Sequence, residues 1–436
     1  MMKKHPLGIY VHIPFCVKKC NYCDFLSAPS TKEVQKCYID ALLKQIQSYK
    51  ALVKEYEIKT IYFGGGTPSL LEIEEMERVF TEIKESYGLT EECLSEMEIT
   101  LEANPGTFGI DKLLAYRKLG FNRLSMGVQS MNEKELKLLG RVHTVDEFLE
   151  NYKLARECGF ENINIDLMQA LPNQTVESWE DTLKKVISLN PEHISAYSLI
   201  IEEGTKFYDW YEGKEELLPD EEIEREIYYR TEEILKKAGY ERYEISNYAK
   251  LGKESRHNLC YWQGVDYLGL GLGASSLIKG ERFSNETNLE KFMMYANDLE
   301  KTESCYSKNN LEQINIPHLE ENLEQTKMEN EPLEKNFNEK IAHNRTNAFD
   351  RLKKESHLLT KQEQMEEFMF LGLRVMNGVS KQEFLKRFQL ELEDVYGQIL
   401  ETLENEQLLV LENDKIALTK KGIDISNYVF AQFLLD

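Results

Sequence analysis

The 436-residue sequence predicts an α/β fold with a smaller second domain. Three observations carry that expectation. Between Leu7 and Leu199, six short apolar runs alternate with helical patterns, the order of a parallel sheet crossed by helices. From about Lys301 to Glu355 the chain turns to Asn, Glu, Gln and Lys, a composition that buries too little to fold alone. Beyond it, helical patterns return and end in a hairpin. The expected division is therefore 1–300, a polar insertion or linker at 301–355, and a small domain at 356–436.

The first strand, Leu7 to Ile13, is an apolar run stopped by Pro14. It has no small-residue cleavage site after it, so it reads as a strand and not a signal peptide. It runs into Cys16-x3-Cys20-x2-Cys23, three thiols on one tight loop. Ser30 to Glu33 has the capping-box pattern, and helical spacing continues to about Val53. Lys59 to Phe63 is a short buried strand ending in Gly64-Gly65-Gly66-Thr67, before a helix from Glu72 to Ser86. The next strands are Glu96 to Glu102, Arg123 to Val128, Asn162 to Leu167 and His193 to Leu199. Such a sheet is either doubly wound or curled into an incomplete barrel, and periodicity does not separate the two. Asp266 to Ala274 is glycine-rich without the helix and acidic residue of a dinucleotide fingerprint, so it is expected to close the sheet.

Composition narrows the partners. A 42% apolar content supplies a sizeable core, and a formal charge of -23 repels nucleic acid and anionic membrane surfaces. No run approaches the length of a membrane span. The cysteines outside the loop, at 37, 93, 158, 260 and 305, are scattered, as expected of free thiols in a reducing cytoplasm.

The cysteine loop is built to hold metal. Structural zinc needs a closed tetrahedral set, and no second cysteine pair or Cys/His pair follows. His12 precedes Cys16 on the strand, where a packed imidazole is expected. Three thiolates on a four-iron cubane would leave one iron without a protein ligand, open to a small molecule.

Cys16-x3-Cys20-x2-Cys23 with Tyr22 before the last cysteine resembles the radical S-adenosylmethionine (SAM) signature. The longer string from Tyr10 through Val11, His12, Ile13, Pro14 and Phe15 to Cys16 resembles one branch of that superfamily, the coproporphyrinogen III oxidases and HemW-type heme chaperones. The resemblance implies a partial (β/α)6 barrel, a [4Fe-4S] cluster on the three cysteines, and SAM chelated at the open iron. It places the site at the carboxyl ends of the strands. Polar or glycine residues recur there: Gly65, Gly66 and Thr67, then Glu102, Gln129 and Asp166. Carried onto these positions, Glu102 accepts from the SAM ammonium, Arg141 pairs with its carboxylate, and Gln129 and Asp166 take ribose hydroxyls. Tyr10 and Tyr22 belong to the same set. Arg141 has a plainer reading as a surface ion pair before the helix start at Thr144 to Glu147.

Farther on, His257-Asn258-x-x-Tyr261-Trp262 resembles the His-Asn-x-x-Tyr-Trp motif of the chaperones, which implies heme contacts from His257, Tyr261 and Trp262; a packed corner is the alternative. After the polar stretch come helical patterns over Gln362 to Val375, Ser380 to Phe388 and Glu393 to Asn405. The hairpin Leu408 to Leu418 completes a winged-helix-like α+β module, expected to cover the barrel mouth.

Within the branch, two features separate this chain from the oxidases it resembles. Phe25 stands where they carry a further cysteine, and only a few residues precede the first strand where they have a longer segment. The resemblance thus implies a cytoplasmic heme chaperone, binding cluster, SAM and heme, that hands heme to an acceptor protein such as a respiratory one. A flavodoxin or ferredoxin would supply electrons. The alternative is an oxygen-independent coproporphyrinogen III oxidase acting in porphyrin metabolism.

Overall fold

The computed structural model describes residues 4–296 and 352–435. Strands β1 (His5–Ile13), β2 (Tyr56–Gly65), β3 (Glu98–Ala103), β4 (Arg123–Gln129), β5 (Ile163–Gln169) and β6 (His193–Ser198) lie side by side in chain order, all parallel. Every crossover therefore advances one place in the same direction, which curls the sheet as in a barrel; a doubly wound sheet would reverse at a switch point. The crossovers carry α1 (Lys32–Ser48), α2 (Lys50–Val53), α3 (Ile73–Tyr87), α4 (Glu91–Glu96), α5 (Ile110–Leu119), α6 (Glu133–Leu139), α7 (Val145–Glu157) and α8 (Val176–Ser188).

After β6 follow α9 (Lys206–Tyr211), α10 (Glu221–Lys237), β7 (Glu241–Glu244), β8 (Asn247–Ala249) and α11 (Arg256–Trp262). β8 and β7 extend the sheet antiparallel beyond β6. The glycine-rich stretch forms β9 (Tyr267–Leu270), which pairs parallel with the other edge of β1. Then β10 (Ser275–Ile278), β11 (Glu281–Asn285) and, after α12 (Leu289–Ala296), β12 (Lys353–Leu358) continue antiparallel. The result is a twelve-stranded open sheet. β12 starts inside the polar stretch, most of which lies outside the described residues.

Side-chain alternation sorts the two faces. Leu7, Ile9, Val11 and Ile13 of β1, with Ile61, Phe63, Ile99, Leu101, Leu124, Met126, Ile163 and Ile165, are fully buried against the helices. The alternate residues point into the barrel and are mostly polar: Thr60, Tyr62, Glu98, Thr100, Glu102, Arg123, Ser125, Asn164, Asp166 and His193. Several boundaries differ from the sequence reading. The first helix is capped by Thr31, which accepts from the Val34 amide, and not by Ser30. Glu96 ends a short helix, and the strand begins at Glu98. Cys93, Cys158 and Cys260 are free thiols, but Cys37 is disulfide-bonded, because spacing does not say which thiols meet in space; Cys305 lies outside the described residues.

The C-terminal module has its own core, built from Met369, Phe384, Phe388, Leu392, Tyr396, Leu400, Ile416 and Val429 around helices Lys361–Gly372, Lys381–Phe388 and Leu392–Asn405. Strands β13 (Val379–Ser380), β14 (Leu409–Glu412) and β15 (Lys415–Leu418) form a small antiparallel sheet. The module does not cover the barrel mouth. It seats on α11 and the sheet edge: the Arg374 guanidinium lies 4.5 Å over the Trp262 ring, the Met376 amide donates to the Tyr243 carbonyl (2.9 Å), and Arg282 pairs with Glu367 (2.9 Å). α11 packs at the barrel's opposite end, so sequence order alone misplaces the module.

Candidate functional site

The loop after β1 is held on both sides. Cys16 donates its amide to the Ala28 carbonyl (3.0 Å) and Ala28 returns one to Pro14 (2.9 Å). Asn21 ties the middle of the loop to the end of α6 through the Leu139 and Leu138 carbonyls (both 2.9 Å). Cys16, Cys20 and Cys23 are free thiols lining one cavity of about 490 Å³. Burial raises the thiols of Cys16 and Cys23, the latter to about 11, so a cation is needed to hold them as thiolates. Among the described residues no three His, Cys, Asp or Glu are close enough to share a single metal ion. Three thiols from one loop would suit a cubane, in which each thiolate takes a different iron. His12 is no ligand: its Nδ1 meets the Tyr10 hydroxyl (3.0 Å), its Nε2 the Leu26 carbonyl (2.9 Å), and burial lowers it to about 4.

The cavity sits at the carboxyl ends of β2 to β6, lined by Gly65, Gly66, Thr67, Glu102, Gln129, Arg141 and Asp166 together with Tyr22. The glycines are needed because β2 ends against the cysteine loop. A Cβ on Gly66 would stand 2.7 Å from the Phe15 carbonyl oxygen, and one on Gly65, at φ +109, would enter the His12 ring. Behind them, Glu102 accepts from the Gly65 amide (3.0 Å) and the Tyr62 hydroxyl (2.8 Å). Burial pushes this carboxyl up to about 7 against those two bonds, with the charge of Asp166 adding to the rise. A buried carboxylate in this state gains from an incoming ammonium.

Asp166, raised by burial, accepts from Ser125 (3.2 Å) and Asn164 (2.7 Å). Gln129 stands at the register shift between β4 and β5 with φ +72, and its Oε1 accepts from Tyr197 (2.8 Å). Arg141 is no surface ion pair. It reaches into the cavity, where Nη1 points at Cys20 Sγ (3.5 Å) and Nη2 donates to Asn104 Oδ1 (2.7 Å) and to the Gly127 carbonyl.

Tyr10 lies one layer beneath, off the lining, stacked on Tyr62 at 6.2 Å. Tyr62, Ser125, Met168 and Tyr197 line the cavity without any signal in the motifs, whereas Asn104, which also lines it, stands with Glu102 among the polar residues at the end of the third strand. The period-two pattern could have found Tyr62, which shares the inward face of Gly64 on β2.

His257, Tyr261 and Trp262 lie elsewhere. α11 closes the far end of the barrel, its first amides, of Arg256 and His257, both donating to the Glu98 carboxylate (3.1 and 3.0 Å). The His257 ring is 1% exposed, with Nδ1 bonded to Thr60 (2.7 Å) and Nε2 to Tyr261 (2.9 Å). It offers no free nitrogen to a heme iron, and Trp262 is covered by Arg374. The packed corner is what the structure holds. The thiol of Cys260, on the same helix, is buried as well.

Residues 10–186 match the radical SAM superfamily and residues 359–425 the HemN C-terminal domain. A protein of Lactococcus lactis named heme chaperone HemW is 34% identical over 435 residues, covering 100% of this chain and 99% of the relative. The chain belongs to the HemW family of the radical SAM superfamily. The Bacillus subtilis protein of that name is 32% identical, covering 98% of each chain. Among solved structures, coproporphyrinogen III oxidase (HemN) from Escherichia coli superposes with a TM-score of 0.76 at 23% identity, over 99% of this chain and 90% of that one. That likeness speaks for the fold alone. No described helix is long and apolar enough to cross a membrane.

Proposed function

We propose that this chain is a heme chaperone that carries a [4Fe-4S] cluster on Cys16, Cys20 and Cys23, binds SAM at the open iron, and passes heme to an acceptor protein. One observation carries the reading: three free thiols, a glycine cradle, a buried carboxylate and a guanidinium meet in one cavity. A reduced cluster with bound SAM supplies one-electron chemistry. The chain's own part is binding and orientation. Glu102 receives the SAM ammonium, Arg141 its carboxylate, Gln129 and Asp166 its ribose hydroxyls, while Gly65, Gly66 and Thr67 let the backbone approach and Tyr22 walls the cysteine loop.

Heme needs an apolar face and a cationic edge. Around the cavity mouth Val17, Phe25, Val142 and Ile200 are 54, 64, 55 and 69% exposed, beside Lys18 and Lys19. An exposed apolar rim flanked by ammonium groups suits a flat ring with two carboxylates. His257 does not suit it, for the reasons above.

The test is a heme titration beside an activity assay on anaerobically reconstituted protein. A saturable Soret shift is expected, weakened by Phe25→Asp, with no protoporphyrinogen IX formed from coproporphyrinogen III, reductant and SAM. Conversion of that substrate would overturn the chaperone reading in favour of the oxidase.

A further inference from the structure

The side chain of Asn104 joins two donors that aim at two of the three cysteine sulfurs. Its orientation is fixed by chemistry: a guanidinium only donates, so the atom 2.7 Å from Arg141 Nη2 must be the amide oxygen. The amide nitrogen then faces Thr67 Oγ1 at 2.8 Å and donates to it. A hydroxyl that accepts there is left with its single proton for another partner, and Cys16 Sγ lies 3.7 Å away. On the other side, Arg141 Nη1 is 3.5 Å from Cys20 Sγ. Gly127 makes room for this arrangement, since a Cβ there would stand 2.7 Å from Asn104 Oδ1.

We infer that Asn104 is a positioning residue that sets the reduction potential of the cluster by directing Thr67 onto Cys16 and Arg141 onto Cys20. Donors to thiolate sulfur offset the charge gained on reduction, so they raise the potential. Asn104 touches neither sulfur. Its effect runs through two neighbours, and each carries a part of it. The inference rests on the proposal that the three cysteines carry a cluster.

The experiment is an EPR-monitored redox titration of the reconstituted full chain, after its iron and sulfide content has been measured. Asn104→Leu removes both directing bonds and is expected to lower the midpoint by about 59 mV, a tenfold loss in the one-electron reduction equilibrium. Thr67→Val removes only the Cys16 donor and should give a smaller drop, while Thr67→Ser keeps the hydroxyl and the wild-type midpoint. Fully loaded Asn104→Leu and Thr67→Val proteins titrating with the wild type would overturn the inference. Should Asn104→Leu not load, the Val and Ser variants at position 67 decide it: equal midpoints overturn it. A wild-type chain that takes up no iron and sulfide fails the cluster reading itself, an outcome separate from unchanged midpoints in loaded protein.

Discussion

Replacing His257 with alanine separates a heme contact from a structural floor. The imidazole is bonded through both nitrogens, to Thr60 and Tyr261, and lies flat on Tyr62 with ring centroids 5.0 Å apart. Burial lowers it to about 3, so it is neutral at any working pH and its loss removes no charge. Truncation leaves two buried hydroxyls each short of a partner, on the order of 1 kcal/mol or more apiece. The cavity and the lost stacking add on the order of 1 to 2 kcal/mol. The sum is about 3 to 5 kcal/mol, which for a domain of this size lowers the urea midpoint by on the order of 1 M. Far-UV circular dichroism in urea measures it. Heme titrations of the variant, at a temperature where it is folded, should give wild-type affinity. A variant of unchanged stability that no longer binds heme would refute the assignment of His257 to the floor.

If Glu102 receives the SAM ammonium as proposed, SAM affinity should depend on pH. The Glu102 carboxyl sits at about 7 without ligand, and only the ionised form pairs with an ammonium, so affinity should fall as pH drops through 7 toward 6. Calorimetry on reconstituted protein should show that slope, and Glu102→Gln should be weak and flat. In the ligand-free chain the same group, raised from 4.5, contributes stability that is present below 4.5 and lost as pH rises through about 7. The loss is about 3 kcal/mol, read as the difference between wild-type and Glu102→Gln unfolding curves. Gly66→Ala should prevent cluster loading, because its Cβ meets Phe15 backbone atoms that cannot swing away; iron and sulfide content report it. Trp262→Ala removes the ring under Arg374 and should speed proteolysis between the barrel and the C-terminal module, leaving SAM affinity unchanged.

The strands were legible because each carries apolar residues on the helix side. Ile61 and Phe63, or Leu124, Met126 and Val128, are fully buried and frame the polar positions between them. The cysteine loop was legible from spacing alone. α4 was not, since Leu94 is its single buried residue and one apolar contact makes no period. Arg141 was ambiguous because its placement depends on the turn after α6 folding over the mouth toward Cys20, 121 residues away in sequence. His257 stands between polar Arg256 and Asn258, so no local pattern separates a heme contact from a packed corner. What buries it is Glu98, 159 residues earlier, gripping the start of α11. The seat of the C-terminal module was hidden for the same reason: Arg374 over Trp262 is a pairing that no local pattern announces.

The polar interior explains how a motif at one end of the barrel can bear on a site at the other. Glu102 owes its position to the Gly65 amide and the Tyr62 hydroxyl. The Tyr62 ring is in turn held between Tyr10, at 6.2 Å, and His257, at 5.0 Å. His257 is fixed by Thr60 on β2 and by Tyr261 on its own helix, so the floor and the mouth share one rigid stack of rings. An apolar filling would pack as well, yet it could not hold a carboxylate whose burial already drives it toward neutrality; oriented hydroxyl and amide donors can. His257 and Tyr261 are therefore linked to Glu102 through Tyr62, and a change at either would be felt at that carboxylate without either touching it.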